Sequence, residues 1–381
     1  MSTSRRNLRI GVVGCGNISM TYLRNSALFR GIKLAACADI STDMAQLRAS
    51  EYGIRAQSVD ELLKSEDIDL VLNLTIPTAH FDISMSALSA GKHVFTEKPL
   101  AVTAVEGRTL VAEARSRNLL IGSAPDTFLG AAGRLARRFV DGGRIGRPVT
   151  GTAFMMGRGM EHWHPNPQFY YQPGGGPVLD MGPYYITMLV NLIGPAKRVV
   201  AMSSIASAER LITADGPFKG TSFKVGTPTT IQAVVEFVNG AVISIGMSWD
   251  VFKHSNHPIE LHGTEGSLRL PDPDTFGGVL ALSERGSEWQ EFSTADSLHG
   301  QINWPFNAPD RANYRMIGVA DLANAIATGG KPRASGDLAL HVLEVMEAIL
   351  EAGATGKAID IPGSGVQPAA LPEDEAAALG A

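Results

Sequence analysis

The stretch Leu8-Arg9-Ile10-Gly11-Val12-Val13-Gly14-Cys15-Gly16-Asn17-Ile18-Ser19 decides the fold. Leu8 to Val13 is a short apolar run of strand type, and Asn17 to Phe29 carries helical spacing. Gly14 permits the tight turn between them, and Gly16 lets the backbone approach a pyrophosphate lying on the helix N-terminus. Ser19 stands at the third small position, where glycine or alanine is usual, and still allows close helix–strand packing. A second strand, Lys33 to Asp39, ends on a carboxylate placed to accept hydrogen bonds from both hydroxyls of a ribose. The same carboxylate repels a 2′-phosphate, and no arginine follows it in Ile40-Ser41-Thr42. The reading is a dinucleotide site built on Gly14, Gly16, Asn17, Ile18 and Asp39, suited to NAD in preference to NADP.

Outward from this unit the alternation continues. Ser58-Val59-Asp60-Glu61 and Thr103-Ala104-Val105-Glu106 have the capping-box pattern that opens helices. Asp69 to Thr75, His93 to Thr96 and Leu119 to Ser123 read as strands, and Gly91 stops the helix between the first two. Strands alternating with helices predict a doubly wound parallel sheet, a Rossmann domain over residues 1–126. Beyond it, alternating runs such as Ile231 to Phe237 and Ala241 to Trp249 flank a Val238-Asn239-Gly240 hairpin signal. Residues 127–363 are therefore expected to form a second, α+β domain with a large, mostly antiparallel sheet and helices on one face. One helix starts near Asp180, and others cover Tyr314 to Ala327 and Gly336 to Ala352. The stretch 364–381 is rich in Ala, Pro and Glu and is expected to be loose.

Composition narrows the class. The chain has 381 residues, 44% of them hydrophobic and 19% charged, which fits a two-domain globular protein. A net charge of −5 without a long basic block argues against nucleic-acid or membrane-surface partners. Arg134, Arg137, Arg138, Arg144 and Arg147 are read as a solvated helix face. The start Ser4-Arg5-Arg6 looks like a twin-arginine signal but runs straight into the first strand, so a cytoplasmic location is expected. Cys15 and Cys37 sit in apolar strand-like runs and suit a reducing compartment.

Three further motifs occur in order: Thr75-Ile76-Pro77-Thr78-Ala79-His80, Glu97-Lys98-Pro99, and Gly174-Gly175-Gly176-Pro177-Val178-Leu179-Asp180-Met181-Gly182-Pro183-Tyr184. With the glycine turn they resemble the glucose–fructose oxidoreductase/inositol dehydrogenase family (Gfo/Idh/MocA), over the chain to about residue 361. The resemblance implies hydride transfer between a nicotinamide and a hydroxyl or carbonyl of a small carbohydrate or polyol. It also implies a homodimer or homotetramer joined through the open sheet. Two other uses of the same residues stay open: NAD retained for glycosidic-bond cleavage or internal redox cycling, and sensing of NAD or a sugar without chemistry.

Lys98 ends a strand at the carboxyl edge of the sheet, where doubly wound folds place ligands. Desolvation and a positive nicotinamide are expected to push its pKa down toward that of a proton acceptor. Pro99 restricts its backbone, and Glu97 orients it or pairs elsewhere. Asp180 and Tyr184, four apart at a helix start, share one face toward Lys98. Pro183 is tolerable if it falls in that helix's first turn. Many relatives carry histidine at the position of Tyr184. Tyrosine does not titrate near neutrality, so Lys98 is the main base and Tyr184 a hydrogen-bond donor, with the assignment between them open. Thr75, Pro77, His80 and Glu97 join the cofactor-binding set, His80 as either a cofactor contact or a surface cap. Trp163 suits stacking on a sugar face, and His164 and Asn166 suit its hydroxyls. Glu161-His162-Trp163-His164 lacks a third ligand at metal-site spacing, so no metal is expected. Asp250, His254 and His257 are placed at the pocket rim, and Asn313 and Arg315 are read as structural.

Overall fold

A computed structural model describes residues 6–303, 311–363 and 365–381. Ser4 and Arg5 of the twin-arginine-like start, and Ser364 at the head of the expected tail, lie outside the described residues.

The first domain carries strands β1 (Leu8–Val13), β2 (Ile32–Ala38), β3 (Arg55–Ala56), β4 (Leu70–Asn73), β5 (His93–Thr96) and β6 (Ile121–Ser123). They form one sheet in the order β3-β2-β1-β4-β5-β6, parallel throughout. The order reverses between β1 and β4, the topological switch at which such sheets bind ligands beyond their carboxyl ends. Helices α1 (Asn17–Asn25), α2 (Thr42–Tyr52), α3 (Val59–Lys64), α4 (Pro77–Ser89) and α5 (Ala104–Ser116) make the crossovers. Both capping boxes read in the sequence are formed, Ser58 with Glu61 and Thr103 with Glu106.

After α6 (Ala131–Asp141) the chain enters a nine-stranded sheet. Its strands are β7 (Pro148–Met156), β8 (Ala196–Ser204), β11 (Thr230–Phe237), β12 (Val242–Ser248), β13 (Ile259–Gly263), β14 (Gly266–Leu270), β15 (Val279–Glu284), β16 (Gln290–Ser293) and β17 (Ile359–Asp360). β9 (Glu209–Leu211) and β10 (Ser222–Lys224) form a separate hairpin. The order is β16-β15-β14-β13-β7-β12-β11-β8-β17, antiparallel except for the β7–β12 pair. Along β11, Ile231, Ala233, Val235 and Phe237 are buried while Gln232 and Val234 face out, the period-two pattern of a half-covered sheet. α7 (Pro177–Ile193) and α9 (Gly336–Thr355) pack on the covered face, and α8 (Ile317–Thr328) lies by β6.

Three sequence expectations need correction. The stretch after 364 is not loose: α10 (Glu373–Leu379) buries Ala376 and Leu379, and Leu371 is buried before it. Arg30 N donates to the Leu379 carbonyl (2.8 Å) and Ala381 N to the Leu28 carbonyl (2.9 Å), so the chain's last residues join the first domain. Second, the arginine cluster is not uniformly a solvated face. Arg134 is buried, pairs with Glu373 (3.0 Å) and donates to the carbonyls of Leu129 (2.7 Å) and Leu298 (2.8 Å). Arg137 donates to the carbonyls of Asn191 and Pro368 (both 2.9 Å), whereas Arg138 is exposed and Arg144 pairs with Glu284 at the surface. Third, α7 starts at Pro177, not near Asp180. Gly176 holds φ 93° as its N-cap, and Pro177 supplies a first residue whose missing N–H costs nothing. Pro183 therefore lies in the second turn, where it withholds a donor from the Leu179 carbonyl.

Candidate active site

The turn between β1 and α1 is shaped for close approach. Gly14 holds φ 101°, and a Cβ there would meet the Leu74 carbonyl at 2.6 Å. A Cβ on Gly16 meets no protein atom within 4 Å, which leaves free space in front of an α1 N-terminus that no side chain caps. Asn17 is exposed at that terminus, Ile18 is half-buried, and buried Ser19 donates to the Gly16 carbonyl (2.6 Å). Asp39 accepts from Cys15 N (2.7 Å) and Ser41 N (2.8 Å), which fixes its carboxylate at the mouth of a crevice of about 590 Å³. Asp60 and Glu61 also line that crevice; its described lining includes neither lysine nor arginine. A pyrophosphate at the open helix end and a ribose on Asp39 fit this cradle.

β5 carries the chain to Glu97 and Lys98, whose peptide bond to Pro99 is cis. Glu97 is buried and accepts from the Tyr22 hydroxyl (2.8 Å) and from Lys98 N (2.9 Å), so it holds the backbone of Lys98 and leaves the amine to others. Lys98 Nζ crosses to α7 of the second domain, donating to the Asp180 carbonyl (2.7 Å) and Oδ1 (3.0 Å). It also lies 5.2 Å from the centre of the Tyr184 ring. Lys98, Asp180 and Tyr184 are thus brought together. An ammonium has three N–H donors, and among the described residues Asp180 takes two of them.

The electrostatics reverse one expectation. Burial lowers the Lys98 pKa, but the Asp180 carboxylate, with Tyr184 and Glu97 behind it, outweighs that and holds it above the ordinary lysine value. The amine is an ammonium at neutral pH. Tyr184 is pushed up by burial and by Asp274, against the pull of Lys98 and Arg315. Its hydroxyl accepts from Arg315 Nη2 (3.3 Å), and the same Nη2 donates to Asp274 Oδ1 (2.7 Å). Buried Asp126 accepts from Met316 N (3.1 Å) and Gly318 N (2.9 Å). Burial pushes the Asp126 carboxyl up to about 6.

His80 needs correction on both readings. Its ring is fully buried, with Nδ1 2.7 Å from the Pro99 carbonyl and Nε2 3.0 Å from the Thr75 carbonyl. It joins the two loops that carry Thr75 and Lys98 and has no face left for a ligand; burial pushes its pKa down. Thr75 donates to Asn73 Oδ1 (2.7 Å), and Pro77 is the first residue of α4. The 160–172 loop approaches through rings. Trp163 is 56% exposed and meets His164 at 5.4 Å between centroids; His164 meets Tyr170 at 5.5 Å. Tyr170 in turn feels the charges of Asp180 and Lys98. The Asn166 side chain makes none of these contacts; its backbone N donates to His164 Nδ1 (3.1 Å). Asp250 is committed to Arg210 and to the hydroxyls of Thr229 and Thr230, and His254 reaches the Met156 carbonyl. Neither they nor exposed His257 touch the Lys98 cluster.

Sequence reasoning named Arg315 only as structural and did not name Asp274, Tyr170 or Asp126. Arg315 lies 131 positions from Tyr184 and 41 from Asp274, so no local pattern joins them.

Two family models match. The oxidoreductase family's NAD-binding Rossmann fold covers residues 8–124, and the GFO/IDH/MocA C-terminal domain covers 134–269. The dTDP-3,4-didehydro-2,6-dideoxy-alpha-D-glucose 3-reductase of Streptomyces violaceoruber is 30% identical over 91% of this chain and 96% of its own. The chain belongs to the Gfo/Idh/MocA oxidoreductase family. The 1,5-anhydro-D-fructose reductase of Ensifer adhaerens is 28% identical over 93% of this chain and 98% of its own. Among solved structures, levoglucosan dehydrogenase in complex with NADH superposes with a TM-score of 0.80 at 24% identity, over 94% of this chain and 100% of that one. The first domain of this family member is thus an NAD-binding domain, and among the described residues no helix is long and apolar enough to cross a membrane.

Proposed function

We propose that this family member interconverts a carbonyl and a secondary hydroxyl on a small carbohydrate or polyol, using NAD in preference to NADP. NAD, when bound, supplies or takes up the hydride. Lys98 holds the reacting oxygen with its free N–H and gives it a proton in the reducing direction. In the oxidising direction the same nitrogen accepts that proton. Tyr184 donates a second hydrogen bond to the oxygen, and Asp180 fixes the ammonium in place. Gly14, Gly16, Asn17, Ile18 and Asp39 bind the dinucleotide, with Thr75, Pro77 and Glu97 at its nicotinamide end. Trp163 and His164 cover the sugar. Asp39 and the acidic lining of its crevice support the choice against a 2′-phosphate.

The observation that carries the reading is Lys98 Nζ at 2.7 and 3.0 Å from two oxygens of Asp180, with one donor left over among the described residues, at the edge of a nucleotide-binding sheet. A cytoplasmic homo-oligomer joined through the open sheet belongs to the same proposal; Val200, Met202 and Val234 stand exposed on that face.

The test is absorbance at the NADH band, run in both directions. The panel holds 1,5-anhydro-D-fructose and keto-sugar nucleotides with NADH, and levoglucosan and myo-inositol with NAD. Turnover with one compound class, and a preference for NAD over NADP, is expected. Tight NADH binding with no turnover in either direction across the panel would overturn it in favour of a sensor.

A further inference from the structure

Arg315 is held by three side chains, those of Asp274, Tyr184 and Asn313. Its Nη2 donates to Asp274 Oδ1 (2.7 Å) and Tyr184 Oη (3.3 Å), and its Nη1 to Asn313 Oδ1 (3.4 Å). Asp274 and Arg315 are themselves largely buried, with 21% and 14% of their side chains exposed. Asn25 of the first domain donates to the Arg315 carbonyl (3.1 Å), so the residue stands between the two domains.

A guanidinium carries N–H donors only and has no acceptor. Tyr184 Oη therefore accepts from Arg315, and its own hydrogen cannot point back along that bond. Among the described residues the Tyr184 hydroxyl donates to no acceptor. A hydroxyl buried at this depth needs a partner for its hydrogen, and leaving it without one costs about 1–3 kcal/mol. Lys98, on the face of the same ring, likewise has one N–H that no described residue accepts.

We infer that Arg315 is a positioning residue for the reaction: by occupying a lone pair of Tyr184 Oη it turns the phenolic hydrogen toward the substrate oxygen that Lys98 also faces. Asp274 pins the guanidinium so that this orientation persists without substrate. As the reacting oxygen draws on the Tyr184 hydrogen, negative charge grows on Oη, and Arg315 lies beside it to stabilise that charge. This rests on the role given to Tyr184 above.

A double-mutant cycle on the full chain tests it, with Arg315→Met, Tyr184→Phe and the pair, using the panel compound that turns over. Tyr184→Phe is expected to slow kcat about tenfold or more, and Arg315→Met by a similar factor, with KM and NADH affinity nearly unchanged. In the Tyr184→Phe background Arg315→Met adds no more than about twofold, and Arg315→Lys recovers part of the loss. Additive losses, or a fast Arg315→Met enzyme beside a slow Tyr184→Phe enzyme, overturn the inference and leave the proposed function standing. A fast Tyr184→Phe enzyme overturns both. If Arg315→Met does not fold, Asp274→Asn carries the same cycle, because it leaves the guanidinium present but unpinned. A readout free of substrate is the 13Cζ NMR signal of Tyr184, assigned by its loss in Tyr184→Phe. That signal shifts in Arg315→Met if the bond from Arg315 is real; an unmoved signal overturns the inference.

Discussion

Lys98 Nζ donates to two oxygens of one residue, the main-chain carbonyl and the carboxylate of Asp180. The double grip fixes the amine in position as well as in charge, because the carbonyl is held by a helix and the carboxylate by its own short stem. Lys98→Met keeps the length of the side chain and removes the proton. Turnover is expected to fall by about 10³-fold, within the range that general acid–base groups contribute. NADH affinity, measured by fluorescence titration, is expected to stay within a few-fold. Turnover near wild type would remove Lys98 from the chemistry.

The pH profiles of the two directions should differ. Lys98 sits above the ordinary lysine value, so at neutral pH it already carries the proton that reduction needs. Reduction should be nearly flat from about pH 6 to 9, and oxidation, which needs the neutral amine, should climb with pH over the same range. Asp180→Asn removes the main charge that raises the amine and leaves burial, which lowers it. The oxidative limb of that variant should move to lower pH by about one unit, equivalent to roughly 1.4 kcal/mol. A limb that moves up, or not at all, contradicts the assignment.

Asp39 is prearranged by two backbone N–H groups, which leaves each oxygen a second lone pair for a ribose hydroxyl. Asp39→Ala should weaken NAD binding about 10- to 100-fold, the scale of one or two charge-assisted hydrogen bonds. It should weaken NADP binding less, since the repelling carboxylate is gone. Isothermal titration with both nucleotides measures the ratio; a preference for NAD that survives intact would place the discrimination elsewhere.

Arg134 tests the C-terminal clasp. Its buried guanidinium serves the carbonyls of Leu129 and Leu298 as well as Glu373, so Arg134→Ala leaves buried acceptors without donors. The expected cost is about 2–4 kcal/mol by denaturant unfolding. Glu373→Gln should cost under about 1 kcal/mol, because that carboxylate is half exposed and screened by water. Equal effects would show that the ion pair, not the buried carbonyls, holds the helix.

Much of the fold was legible because its signals are local. Ser58 with Glu61 and Thr103 with Glu106 announce helix starts three residues apart, and Val238-Asn239-Gly240 announces the β11–β12 hairpin. The apposition of Lys98, Asp180 and Tyr184 was legible from motif order and helical spacing. What stayed hidden depends on distant partners. The apolar side chains of α10 are three alanines and one leucine, and the helix is also held by Arg134 and Arg333, 239 and 42 positions from their acids, so composition alone made it look unstructured. The start of α7 was misjudged because Asp180 looked like a cap, while Gly176 and Pro177 do that work and free the carboxylate for Lys98. The Lys98 shift was expected downward from desolvation and a positive nicotinamide; the Asp180 counter-ion, which was not counted, holds it up.

The ammonium and its counter-ion ride on different domains, Lys98 behind β5 and Asp180 on α7. Coulomb attraction falls with separation, so any swing that parts the domains weakens the hold that keeps this amine charged. The basicity of a single nitrogen therefore serves as a gauge of how tightly the cleft is shut, and a jaw that gapes loosens its own proton.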